Sequence, residues 1–141
     1  MAVDMDPAWF AAAWPSATPV ILLDTNALIW IEQRHRRVRS LVRSHRRLYI
    51  SPANLLELQF LLEAGRIRLR HGNVSSLSED ERWILDDPPA ASWFAAALDL
   101  SWTRDPFDRL LVAHARLRGW RLATGDTLLL GRLSDAERLE V

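Results

Sequence analysis

Cysteine and lysine are both absent from these 141 residues. Without cysteine there is no disulfide, no thiolate zinc site and no cysteine nucleophile. Histidine is scarce: His35, His45, His71 and His114 stand apart, with no pair at the spacing that puts two metal ligands on one helix face. Any metal would have to be held by oxygen, which favours Mg²⁺ or Mn²⁺ over zinc. No apolar run approaches the length of a membrane span. The opening segment, MAVDMDPAWFAAAWPSATP, carries Asp4 and Asp6 and no basic leader, so a cytoplasmic protein without a signal peptide is expected. Net charge is missing too, because 18 arginines balance 18 carboxylates. That argues against a protein that coats nucleic acid indiscriminately. A local basic surface is not excluded, since seven arginines lie between Arg34 and Arg47 with no carboxylate among them.

The length suits one domain that buries about two-thirds of its unfolded surface without staples. A hydrophobic fraction of 49% with 26% charged residues places the chain among ordinary globular proteins. Residues 1–19 read as an extension in which Trp9, Phe10 and Trp14 form a short helix against the domain or a partner, closed by Pro15 and Pro19. Residues 20–141 read as a single catalytic domain without repeats or low-complexity linkers.

Val20-Ile21-Leu22-Leu23 is an unbroken apolar run, as a strand buried on both faces requires. It ends in Asp24-Thr25-Asn26, and a helix is expected from about Ala27 to Glu32. Val38, Leu41, Val42 and His45 recur at helical spacing, predicting an amphipathic helix over 34–45 with an arginine face. That face reads first as solvated, with RNA contact as the minority alternative. Leu48–Ile50 predicts a second strand. Ser51 as N-cap and Pro52 at the first position open a helix that stops near Gly65 and, apolar nearly all round, is expected to be substantially buried. Residues 66–82 read as a loop with one helical turn over Ser78–Arg82, from the Ser78-x-x-Glu81 capping pattern. Trp83–Leu85 predicts a third strand and Ala90–Leu98 a helix. Asp105, Pro106 and Asp108 open another helix, ended by Gly119. Arg121–Thr124 is a fourth strand, Thr127–Leu130 a brief helix ended by Gly131, and Arg138–Val141 a last edge strand.

Strands alternating with helices place Asp24, Glu57, Asp105, Asp108 and Asp126 at or near the carboxyl edge of one parallel sheet, where open α/β sheets keep their ligand crevices. Each has a bland explanation. Asp24 or Asn26 caps a helix, Asp105 and Asp108 suit a helix N-terminus, and Glu57 shares a polar stripe with Asn54 or pairs with an arginine. No single segment separates cap from active site. If the acids do converge, two carboxylates about 4 Å apart repel by roughly 4 kcal/mol at an effective dielectric near 20. A divalent cation turns that repulsion into binding, activates a water and clamps a phosphate oxygen.

Four segments, LLDTNALIW (22–30), YISPANLLEL (49–58), RDPFDRLLVAHA (104–115) and LATGDTLL (122–129), together resemble the PIN-domain ribonucleases, and specifically the VapC-type toxins. DPFDRLL followed by T-x-D is the most distinctive part. The resemblance runs from Val20 to the end and is weak over 66–90. The extension 1–19 has no counterpart in compact relatives. It implies a three-layer α/β/α sandwich around a parallel sheet of four or five strands. It also implies Mg²⁺- or Mn²⁺-dependent endoribonuclease activity on an RNA substrate, homodimerisation, and inhibition by a small cognate antitoxin. Carried over residue by residue, Asp24 and Asp108 are the principal metal ligands. Asp126 binds directly or through water, and Glu57 orients the attacking water or completes the outer shell. Thr25, Asn26, Ser51 and Thr124 fall at small polar positions that hold the carboxylates. Asp105 is a cap and outer-shell group, Arg109 faces substrate phosphate, Asp105 or a surface partner, and His114 has no catalytic role. Two other readings stand beside this one. One is a binding module for RNA or protein that keeps the fold without turnover. The other is a Mg²⁺-dependent phosphohydrolase, disfavoured because Asn26 occupies the place of its second aspartate and no lysine is available.

Overall fold

The computed structural model describes residues 20–44, 46–70 and 72–141. The expectations for Trp9, Phe10 and Trp14, and for His45 on the amphipathic face, lie outside the described residues. Five strands form one parallel sheet: β1 (Val20–Leu23), β2 (Arg47–Ile50), β3 (Ile84–Leu85), β4 (Arg121–Thr124) and β5 (Arg138–Glu140), in the order β3-β2-β1-β4-β5. The helices are α1 (Thr25–Glu32), α2 (Arg39–Arg43), α3 (Pro52–Glu63), α4 (Val74–Leu77), α5 (Ala90–Leu98), α6 (Pro106–Arg118) and α7 (Thr127–Arg132).

Strand alternation divides the core into two layers. Ile21 and Leu23 of β1, with Ile50 and Ala123, face a cluster built from α1, Leu41, Leu58 and the α4 pair Val74 and Leu77. Leu22 and Leu122 face the opposite cluster, made by Trp93 and Ala97 of α5, Leu111 and Val112 of α6, and Leu129 of α7. The chain is therefore an α/β/α sandwich around a central parallel sheet. Because all five strands run the same way, every carboxyl end lies on one edge. The chain winds outward from β1 to β2 and β3, then returns to β4 on the other side. The crevice of such a sheet opens at that reversal, between β1 and β4.

Local predictions fail where two rules compete. The helix expected over 34–45 is broken. Arg34 takes φ 55°, a 3₁₀ turn spans Arg36–Val38 with the His35 ring accepting from Arg37 N, and only Arg39–Arg43 is α-helical. Val42, expected on its buried face, is 52% exposed. The helical turn expected at Ser78–Arg82 lies earlier, as α4. Asn73 rather than Ser78 supplies the capping box, because Val74 and Leu77 are the residues the core takes up. Ser78 sits at its C-terminal end instead. Trp83 is outside β3; it is buried, and its indole donates to the Leu77 carbonyl at 2.7 Å. α3 is less buried than its composition suggests. Leu56 and Phe60 are about half exposed, at 51% and 53%, with Phe60 covered on one side by the edge-on ring of Phe107 of α6. α1 starts at Thr25, two residues before the expected start, and α7 continues through Gly131 to Arg132.

Candidate active site

Four helix N-termini open at the carboxyl edge of the sheet, and each has a side-chain cap. Asp24 caps α1 by accepting from Ala27 N at 2.7 Å. Ser51 caps α3, its Oγ accepting from Ala53 N at 3.1 Å. Asp105 caps α6 through Phe107 N at 2.8 Å and Asp108 N at 3.4 Å. Asp126 caps α7 through Leu128 N at 2.8 Å and Leu129 N at 3.2 Å. All these carboxylate caps fall on Oδ1. Capping thus consumes one oxygen of each acid and does not compete with a second role for Oδ2.

Asp24 extends β1 into the crevice. Its backbone N–H still bonds the Ala123 carbonyl of β4 at 3.0 Å, and its side chain is buried, 4% exposed. Thr124, at the end of β4, is fully buried; its Oγ1 accepts from Asp126 N at 3.0 Å, and its hydroxyl side reaches the Asp24 carboxylate. One threonine therefore ties the two acids that flank the reversal. Between Thr124 and Asp126 stands Gly125, packed so tightly that a Cβ there would lie 3.0 Å from the Val141 carbonyl oxygen, the Trp30 ring and the Arg37 guanidinium.

The electrostatics show that the acids share a space. Burial pushes the Asp24 carboxyl up to about 6, against hydrogen bonds from Thr124 and Ala27 and with help from the charge of Asp126. Asp108 is pushed up to about 7, first by burial and then by the charges of Asp105, Asp126, Glu57 and Asp24. Glu57 is raised by burial and by Asp105 and Asp24, opposed by the Thr25 hydroxyl. The acids expected at Asp24, Glu57, Asp105, Asp108 and Asp126 are thus brought together. Among the described residues, no three of them are already closed into an ion cage. Their donor chemistry fits a hard divalent cation. The ligands are oxygen only, these acids form no ion pair among the described residues, and Asp24 and Asp108, raised to about 6 and about 7, carry protons that a metal would displace.

The supporting residues divide. Thr25, Ser51 and Thr124 are buried at the crevice, whereas Asn26 is exposed. Of the alternatives for Arg109, the pairing with Asp105 is not taken: its Nε donates to the Thr103 carbonyl at 2.8 Å, and among the described residues it forms no ion pair. His114 lies apart from the acids, fully buried, its Nε2 2.7 Å from Asp86, which also pairs with Arg118. Sequence reasoning missed Asn54. Read as part of a solvent-facing stripe, it is fully buried beside Thr25. The available signal was its position three residues after the Ser51 cap, where a side chain reaches back to the cap N–H.

A family model described as PIN domain matches residues 21–133. Ribonuclease VapC22 of Mycobacterium tuberculosis is 33% identical over 117 residues, covering 77% of this chain and 88% of that protein. Among solved structures, VapBC2 from Rickettsia felis bound to a promoter DNA fragment superposes with a TM-score of 0.62 at 18% identity, covering 86% of this chain and 98% of the other. A toxin–antitoxin complex from Klebsiella pneumoniae gives a TM-score of 0.61 at 14% identity, over 84% of this chain and 99% of the other. These two share the fold.

Proposed function

The chain belongs to the PIN-domain family, and from that premise we propose that it is a Mg²⁺- or Mn²⁺-dependent endoribonuclease acting as the toxin of a toxin–antitoxin pair. The observation that carries this reading is the set of carboxyls gathered at the crevice between β1 and β4: Asp24, Glu57 and Asp108 are each raised first by burial and then by the charge of a neighbouring acid. Asp24, Asp108 and Asp126 would hold the ion, with Glu57 at its margin. Such an ion supplies charge neutralisation and an activated water for phosphodiester hydrolysis.

The chain's own groups do the rest. Glu57, turned by Thr25, orients the attacking water and accepts its proton at a carboxylate oxygen. The N-termini of α1, α3, α6 and α7 direct their free amides and dipoles toward an anionic substrate. Water adds to phosphorus and the bond to the ribose 3′-oxygen breaks, that oxygen taking a proton from solvent, to leave a 5′-phosphate and a 3′-hydroxyl. The relative's printed name, a ribonuclease, supports the substrate class, and the Klebsiella pneumoniae neighbour, described as a toxin–antitoxin complex, supports an antitoxin partner. Half-exposed Leu56 and Phe60 on α3, and exposed Phe94 and Leu98 on α5, are apolar side chains for an antitoxin or a second copy to cover. A cytoplasmic location follows from the same reading; among the described residues, no helix is long and apolar enough to cross a membrane.

The test is cleavage of RNA by pure protein with Mn²⁺, abolished by EDTA and in Asp24→Asn, Asp108→Asn and Asp126→Asn. Undiminished cleavage in all three variants would overturn the assignment. A second reading, a PIN-like RNA-binding module without turnover, draws support from the absence of a closed three-ligand set among the described residues. Calorimetry separates the two: tight Mn²⁺ binding with turnover supports the nuclease, and RNA binding without either supports the module.

A further inference from the structure

Asn54 holds three parts of the crevice with a single side chain. It is completely buried, and its hydrogen-bonding groups are all engaged. Oδ1 accepts from Ser51 N at 2.6 Å. One Nδ2 hydrogen goes to the Leu23 carbonyl at 3.2 Å and the other to Thr25 Oγ1 at 3.1 Å. Leu23 is the residue before Asp24, and Thr25 the residue after it. Asn54 therefore straddles Asp24 from a different helix, the helix that carries Glu57 one turn further on.

The direction of the bond to Thr25 matters. Asn54 can only donate from Nδ2, so Thr25 must accept there. The threonine hydroxyl has one proton, and acceptance from Asn54 leaves that proton free to be donated on the side of the crevice where Glu57 stands. A cap alone does not require this. The capping bond to Ser51 N uses Oδ1, and an aliphatic N3 residue would still leave Ser51 Oγ capping Ala53 N. The two Nδ2 bonds reach 31 and 29 residues away in sequence, to the end of β1 and the start of α1.

We propose that Asn54 is a positioning residue for the proposed hydrolysis: by donating to Leu23 and Thr25 it fixes Glu57 relative to Asp24 and sets the polarity of the Asn54→Thr25→Glu57 relay. The inference rests on the nuclease reading, and its test distinguishes the two. If wild-type protein fails to cleave RNA with Mn²⁺, the nuclease reading falls, and this inference falls with it. If wild type cleaves, Asn54→Ala and Thr25→Val are compared singly and together.

Loss of an outer-shell hydrogen bond to a ligating or catalytic group typically costs about 10- to 100-fold. Each single variant is expected to lower kcat by about that factor, with KM for RNA within about twofold of wild type. The double variant should be no worse than the poorer single one, because both break the same relay. Thr25→Ser, which keeps the hydroxyl, should restore kcat to within about threefold. In calorimetric titration with Mn²⁺ alone, Asn54→Ala should keep the wild-type stoichiometry while binding about tenfold more weakly. The retained stoichiometry separates misplacement from loss of folded protein. Should Asn54→Ala fail to fold, Asn54→Ser, which is small and polar and lacks the second donor, takes its place with the same expectations. Multiplicative losses in the double variant, wild-type kcat and Mn²⁺ affinity in folded Asn54→Ala, or a lower stoichiometry at unchanged affinity would overturn the proposal and leave Asn54 as a helix cap.

Discussion

Asp24→Asn should make the metal-free protein more stable while making it inactive, and the size of the gain can be worked out. The carboxyl is 4% exposed and is pushed from an ordinary 3.8 up to about 6. Each unit of pKa difference between folded and unfolded chains corresponds to about 1.4 kcal/mol. Holding Asp24 ionised at pH 8 therefore costs the fold roughly 3 kcal/mol, again by that conversion. Asparagine keeps Oδ1 for the 2.7 Å cap bond to Ala27 N. It receives the Thr124 hydroxyl less well than a carboxylate, so about half the gain, roughly 1.5 kcal/mol, is expected to survive.

The sign follows from proton counting. The unfolded chain releases this proton near 3.8 and the folded chain near 6, so between those values the folded state holds more protons. Wild type loses stability as pH rises through that window and does not recover it above. Asparagine has no such loss. The gap between variant and wild type should open between about pH 4 and pH 6 and then stay constant, reaching about 5 °C in Tm for a domain of this size. Thermal denaturation in EDTA at pH 4.5, 6 and 8 measures it, beside RNA cleavage with Mn²⁺. A variant no more stable than wild type at pH 8, or a gap as wide at pH 4.5 as at pH 8, would refute the claim that Asp24 is held in an unfavourable ionised state.

Three further outcomes follow from the same geometry. Mn²⁺ should raise the Tm of wild type more at pH 8 than at pH 5.5, since protons on Asp24 and Asp108, whose carboxyls sit at about 6 and about 7, compete with the metal; equal shifts would contradict this. Asp86→Ala should cost about 2 kcal/mol in urea denaturation, because it removes the partner of both Arg118 (2.8 Å) and buried His114 (2.7 Å). The burial that opposes its charge is outweighed by Arg118 and His114, which hold the Asp86 carboxyl below its usual range. Its contribution is therefore present above the ordinary carboxylate pKa and should fade as pH falls through the folded value. Gly125→Ala should lower both Tm, by several degrees, and cleavage, since its Cβ would press at 3.0 Å on the Val141 carbonyl, Trp30 and Arg37 beside Asp126; wild-type values for both would show that this turn yields freely.

The sequence made the sheet and its edge legible because those features are local. A four-residue apolar run specifies a strand buried on both sides, and Ser51-Pro52 or Asp105-Pro106 specifies a helix start regardless of what lies around it. Failures came where tertiary packing chooses between local options. Asn73-x-x-Ser76 and Ser78-x-x-Glu81 are both capping patterns, and only the burial of Val74 and Leu77 selects the first. Helical spacing across 34–45 carries no information about the left-handed Arg34 that breaks it. Arg37, one of the apparent arginine face, stacks 4.2 Å over Trp30 and donates to the Val141 carbonyl at 3.1 Å, so it belongs to the packing around Gly125. The half-exposed side of α3 was illegible for the same reason: an apolar residue does not say whether its cover is its own chain.

Cap and active site, which no single segment could separate, turn out not to be alternatives. Asp24, Asp105 and Asp126 are helix caps through Oδ1, and a helix N-terminus is also where a carboxylate is most easily kept ionised. The fold thus recovers in capping part of what it loses in crowding acids together. Asp108 gains only the dipole of α6 and no capping bond. It stands in the first turn of α6, its carboxylate accepts no hydrogen bond among the described residues, and burial with four neighbouring acids pushes it up to about 7. A capping role accounts for the other three, whereas Asp108 has only its place in the first turn of α6 to offset its burial. Under the nuclease proposal, Asp108, more than the capping acids, is the group that a bound cation would relieve.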